Sequence, residues 1–257
     1  MRRRSAVTTA AVSIFGLVLA ACAIPEAPGP NDSGSSDTTA VTASATSSGD
    51  RQSMEGQYTF DTMDQYVDKV VSDLIVPWLN DTWPSIEVPD VRFVPEGISG
   101  REGCEDSDGH RAQYSTDSYE YCPPDVTVYV GQDAVWEFYS QTGDAGPAMG
   151  LAHEFGHHVQ YSLGVTPPET SQESVAFENQ ADCLAGTWAR WADAKGYLDT
   201  AENSPNGRSD LDDIELLFPL IASAEGADRD HGTLEERESA FNDGYRGGPP
   251  ACDINAG

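Results

Sequence analysis

Residues 148–164 read Ala-Met-Gly-Leu-Ala-His-Glu-Phe-Gly-His-His-Val-Gln-Tyr-Ser-Leu-Gly and enclose His153-Glu154-Phe155-Gly156-His157, an HExxH spacing. On a helix, positions four apart lie on one face about a turn from each other. The two imidazoles at 153 and 157 can therefore reach one tetrahedral Zn²⁺ at roughly 2.0–2.1 Å. Glu154 projects beside them, placed to hold a water at the open position rather than to bind metal. The competing reading is two histidines on an ordinary amphipathic helix. With only five His in the whole chain, chance is a poor account of this spacing.

A catalytic zinc needs a third protein ligand. Downstream, residues 173–188 read Glu-Ser-Val-Ala-Phe-Glu-Asn-Gln-Ala-Asp-Cys-Leu-Ala-Gly-Thr-Trp. Glu178 and Asp182 are again four apart and share a helical face. Glu178 can complete a His₂Glu set with an open fourth position, and Asp182 can accept from the free ring nitrogen of a ligating His, fixing its tautomer. A solvated acidic face is the alternative in a chain with 43 Asp and Glu. Val175, Phe177, Leu184 and Trp188 argue instead that this helix packs.

The run His153 to Gln160, followed by Glu178-Asn179-Gln180-Ala181-Asp182-Cys183-Leu184-Ala185-Gly186, resembles the bacterial neutral zinc metallopeptidase family, a gluzincin-type zincin with an HExxH helix and a later ExxxD helix. Tyr121-Cys122-Pro123, His231-Gly232-Thr233 and Arg237 also fit its pattern, while Asn179 stands where that pattern carries Leu. The resemblance spans about Tyr119 to Cys252. It implies an α+β, zincin-like fold, mostly helical, with a small sheet whose edge strand lies over the metal site. It also implies peptide hydrolysis with one Zn²⁺ held by His153, His157 and Glu178, and Glu154 as general base. His231, just before the last helix, is the candidate donor to the developing oxyanion, with a surface or helix-capping His as the competing reading. Thr127-Val128-Tyr129-Val130 is the candidate for the substrate-pairing edge strand; an interior strand explains it equally well. A zinc-containing binding or chaperone-like envelope lipoprotein without turnover is the alternative function, against which the presence of Glu154 argues.

Composition bounds the rest. The formal charge is 14 − 43 = −29, a surface that repels nucleic acid and anionic lipid. Residues 1–21 hold three Arg and no acids, then an apolar run ending Leu19-Ala20-Ala21-Cys22. This reads as a secretory signal peptide whose end resembles the bacterial lipobox, which implies Cys22 as the lipidated mature N-terminus and an exported protein anchored to the cell membrane and facing outside; simple cleavage near Ala21 and release is the alternative. Removing that segment leaves 11 − 43 = −32. Residues 22–55, rich in Ser, Thr, Ala and Gly, read as a flexible tether, and residues 56–257 as the zinc metallopeptidase domain. Partners are then a peptide or protein substrate and the membrane through the lipid. Oligomeric state is not legible.

Apolar spacing from Met63 to Ile75 predicts a helix that Pro77 kinks or ends. Val91–Val94 reads as a strand, and so does Asp125–Gly131 with Val126, Val128 and Val130 on one face. Helices are expected over 133–140, from a cap at Asp144 to a stop at Gly164, over 170–196 and over 210–224. A last helix is capped by Thr233 and Glu236. With Cys22 lipidated, four cysteines remain and allow three pairings. Export permits disulfides, and Cys104–Cys122 and Cys183–Cys252 are expected. Metal ligation is the weaker alternative because no CxxC occurs, and Cys183 could also be a buried free thiol.

Overall fold

The computed structural model describes residues 60–105, 109–226 and 229–254. The signal segment, Cys22 and the tether of the sequence reading lie outside these residues. Helix α1 (Phe60–Val70) turns Met63, Tyr66, Val67 and Val70 inward. The chain then passes through a π-helical turn, Val71–Ile75, into α2 (Val76–Thr82). Pro77 thus marks an irregularity and not a stop. It falls in the first turn of α2, where a missing N–H is tolerated, and the wider π turn before it makes room for the ring.

Five strands follow: β1 (Asp90–Val94), β2 (Gly100–Glu105), β3 (Arg111–Tyr114), β4 (Tyr119–Cys122) and β5 (Thr127–Gly131). One sheet runs β1-β5-β4, with β1 parallel and β4 antiparallel to β5; β2 and β3 form a separate antiparallel hairpin. The Thr127–Val130 stretch is therefore the central strand, not the edge. The reason lies in its two faces. Val128 and Val130 enter the helical core, while Tyr129 packs under the hairpin with Val94, Cys104, Tyr114 and Cys122. Residues buried on both sides suit an interior place. Val126 is not in the strand either; it is exposed in the preceding turn at φ +51°. The edge next to the HExxH helix is β4.

Helices α3 (Gln132–Thr142), α4 (Ala145–Ser162), α5 (Ser171–Ala194), α6 (Asp210–Ile221) and α7 (Leu234–Gly247) complete the α+β fold. Helix α4 is buried from Ala145 through Gln160, because it runs through the middle of the core with partners all round. The Asp144 side chain makes no capping bond to α4; instead its carbonyl accepts from the Tyr66 hydroxyl. At the far end Gly164 sits at φ +73° and Val165 N–H reaches back to the Gln160 carbonyl at 2.9 Å, a Schellman-type stop. Thr170 caps α5, and Thr233 with Glu236 forms the expected capping box on α7.

Helices α5 and α7 cross at very close range. A Cβ on Gly186 would lie 2.1 Å from the Phe241 carbonyl oxygen, and one on Gly244 would lie 1.8 Å from that of Cys183. The structure pairs Cys183 with Cys252 beyond the end of α7, and Cys104 on β2 with Cys122 on β4. No described helix is long and apolar enough to cross a membrane.

Candidate active site

Helix α4 presents His153, Glu154 and His157, and α5 presents Glu178 and Asp182; all five side chains are buried. His153 Nε2 lies 3.1 Å from Glu178 Oε2, and His157 Nε2 lies 3.4 Å from Glu178 Oε1. The two other ring nitrogens face fixed acceptors. His153 Nδ1 donates to Asp182 Oδ1 at 2.8 Å, since Asp182 also receives Arg237 Nε and Nη2, both at 2.8 Å, and can only accept. His157 Nδ1 donates to Gln160 Oε1 at 2.8 Å. The orientation of that amide follows from its Nε2, which donates to the Phe177 carbonyl and to Gln180 Oε1.

With both Nδ1 atoms protonated, each Nε2 of a neutral ring carries a lone pair. A proton on each Nε2 makes these contacts hydrogen bonds to Glu178; with the rings neutral, the two lone pairs and the carboxylate oxygens converge as a donor set for a cation. Ligands about 2.0–2.1 Å from one tetrahedral ion stand roughly 3.3 Å apart, close to the 3.1 and 3.4 Å found here. The donor set and its spacing therefore fit a zinc ion, and each imidazole already has the hydrogen-bonded backing that ligating histidines use.

The electrostatics agree. Burial alone would lower the His153 pKa, but Asp182 and Glu178 outweigh it and raise it to about 10 in the metal-free protein. Burial alone would raise Glu178, but the two imidazoles hold it well below the ordinary carboxylate value. At Asp182, burial is likewise overridden by Arg237 and His153, and the carboxylate stays low. Glu154 differs in kind: burial raises its pKa and the neighbouring imidazoles offset that only in part. Its Oε2 accepts from the Tyr121 backbone N–H at 2.8 Å.

His231 enters from the loop before α7. Its Nε2 is 3.5 Å from Glu178 Oε2 and its Nδ1 is 3.1 Å from Asp230 Oδ1, with the ring about one-fifth exposed. The loop lies tightly on α5 and α7 because residue 232 is glycine. A Cβ there would be 2.3 Å from Asn179 Oδ1 and 2.9 Å from Arg237 Cγ. The neighbouring His158 faces away, with Nδ1 2.9 Å from the Tyr121 hydroxyl and Nε2 2.6 Å from the Glu87 carbonyl oxygen.

The structure thus brings Glu154, His153, His157, Glu178, Asp182 and His231 into one site. Two of its parts escaped the sequence reading. Gln160 was legible in principle, three residues past His157 on the same helix. The Tyr121–Glu154 bond had no local signal, since it joins β4 to α4.

Two imidazoles and a carboxylate backed by polar partners, with a further carboxylate alongside, form the donor set of mononuclear zinc hydrolases. The chain belongs to the family described as "Putative neutral zinc metallopeptidase", which it matches over residues 35–254. Among curated proteins it is similar to the Uncharacterized protein YpfJ of Escherichia coli K12, 33% identical over 147 residues, 51% of each chain. It is also similar to the Uncharacterized protein Rv2575 of Mycobacterium tuberculosis H37Rv, 33% identical over 158 residues, 52% of this chain and 53% of the other. The chain spans about half the length of these relatives. No solved structure matches it.

Proposed function

We propose that the protein is a zinc-dependent endopeptidase of zincin type. The observation that carries this reading is the convergence of His153 Nε2, His157 Nε2 and the Glu178 carboxylate beside the buried Glu154, whose Oε2 accepts from Tyr121 N–H. Zinc held by these three residues would supply Lewis acidity for activating water and polarising a peptide carbonyl. Glu154, its pKa raised by burial, is suited to take a proton from water and deliver it to the leaving amine. Asp182, itself held by Arg237, fixes the His153 tautomer, and Gln160 does the same for His157. His231, at the rim with Nε2 toward Glu178, serves as donor to the developing oxyanion. The free edge of β4 offers an extended peptide its backbone groups, and Tyr121 N–H, now on Glu154, lies on that edge. In the same reading the protein is exported and anchored through Cys22, and cuts peptides or proteins outside the membrane.

Cleavage of a mixed peptide library by the zinc-loaded protein tests this. It is run beside Glu154→Gln and beside a chelated sample restored with zinc. Cleavage lost in both and recovered with zinc supports the proposal. A folded, zinc-loaded protein that cuts nothing returns the weight to a non-catalytic binding lipoprotein. Cleavage that survives Glu154→Gln overturns the assigned base.

A further inference from the structure

Beside the metal centre, on the other face of the sheet, lies a carboxylate the mechanism does not use. Glu102 is only 1% exposed, and its Oε2 has no hydrogen-bond partner. Among the described residues no cation pairs with it. Nearby Asp125 is satisfied by contrast, accepting from Gly103 N–H and the Tyr129 hydroxyl. A buried carboxyl without a partner holds its proton, and a positive charge set beside it would draw that proton off and pair with the carboxylate left behind.

The strand pattern says where that charge would come from. Glu102 lies two residues before Cys104 on β2, and Glu120 lies two residues before Cys122 on β4. The bridge joins the two strands with a Cα–Cα distance of 5.8 Å. Alternation along β4 puts Glu120 on the Cys122 face; β2 is irregular between Arg101 and Glu105, but there a Glu102 oxygen lies within 4.8 Å of both sulfurs. Glu102 feels the charge of Glu120, and Glu120, which is hydrogen-bonded to Ser118, feels that of Glu154. The peptide unit between Glu120 and Tyr121 is the one whose N–H meets Glu154. A peptide added to the open edge of β4 sets every second side chain on the Glu120 face as its cross-strand neighbour.

We infer that Glu120, backed by the buried Glu102, forms an anionic subsite for a cationic group of the substrate, a Lys or Arg side chain or a free N-terminal ammonium, next to the scissile bond. This rests on the peptidase reading for the identity of the cleft. The overall negative charge would favour any basic peptide; the subsite would favour a basic group only at alternate positions.

Binding is measured by fluorescence anisotropy on the full, zinc-loaded chain carrying Glu154→Gln, so that no turnover is needed. The probes are labelled peptides of constant net charge with one Arg stepped along the sequence, citrulline counterparts, and acetylated or free N-termini. The expected result is an Arg-over-citrulline preference on the order of tenfold at one register and its absence one residue away. Glu120→Gln, and separately Glu102→Gln, should each remove most of it. Preference following the amine rather than the side chain assigns the subsite to the N-terminus. Equal binding of Arg and citrulline peptides at every register, a preference untouched by both variants, or no binding at all overturns the inference. Cleavage by the Glu154-containing protein is scored in parallel: discriminating binding without cleavage sinks the peptidase reading alone, and cleavage without discrimination sinks the subsite alone.

Discussion

The tautomers of His153 and His157 are set by single acceptors, so each acceptor has a distinct, measurable role. Asp182→Asn keeps the shape but replaces the ionised acceptor behind His153; zinc binding should weaken about 10–100-fold by chelator competition. Unchanged affinity would mean that Asp182 does not set the tautomer. Arg237→Leu leaves Asp182 buried without its bidentate partner, so it should cost on the order of 3–5 kcal/mol in denaturant unfolding as well as zinc affinity. Glu102 gives a prediction of opposite sign. Burial, then Glu120 and Asp125, raise its pKa to about 8, against about 4.3 in an unfolded chain. Between those values the unfolded chain is ionised while the folded one keeps its proton, so stability falls as pH rises through that window. Glu102→Gln should therefore gain on the parent protein in urea unfolding between pH 5 and pH 8; a difference independent of pH would refute this. At this scale the sequence was informative wherever partners lie within one helix turn, as at His153, His157, Glu178 and Asp182. It was silent on Glu102, whose burial depends on a hairpin with few apolar residues.

Elements were legible where capping and periodicity act locally. Thr170, Thr233 and Glu236 announced their helices, and Gly164 announced a stop. Sheet order was not, because alternation identifies a strand without naming its neighbours; Thr127–Gly131 carries large apolar groups on both faces and so moves to the middle. Helix α7 is the element on which most depends. It brings Arg237 to Asp182, follows the His231 loop, and is tied to α5 through Cys183 and Cys252, 69 residues apart. Closing a loop of that length contributes about 4 kcal/mol in the chain-entropy account. Replacing both cysteines by Ala should lower stability by on the order of 2–5 kcal/mol, read by thermal unfolding, and should weaken zinc binding if α7 loosens. Gly232→Ala, which crowds Asn179 and Arg237, should lower kcat with little effect on bound zinc, measured by metal content and turnover together.

Across the whole molecule, the proposed zinc ligands come from two helices that also form the centre of the core, so in this reading metal binding and folding are linked. Zinc at a thousandfold excess over its dissociation constant should stabilise the folded chain by about 4 kcal/mol, seen as a higher melting temperature that chelation reverses. The site is also assembled in a definite order along the chain. The strand that meets Glu154 ends at Cys122, the proposed zinc ligands follow at 153, 157 and 178, and Arg237 and Cys252 arrive last. A nascent chain stalled before residue 237 would already carry all three ligands and the base, but not the guanidinium that fixes Asp182. Its grip on metal would be weak. Synthesis itself thus withholds a fully backed centre until α7 has emerged, and after a clip just before α7 the Cys183–Cys252 bridge would be the one covalent tie still holding that helix to α5.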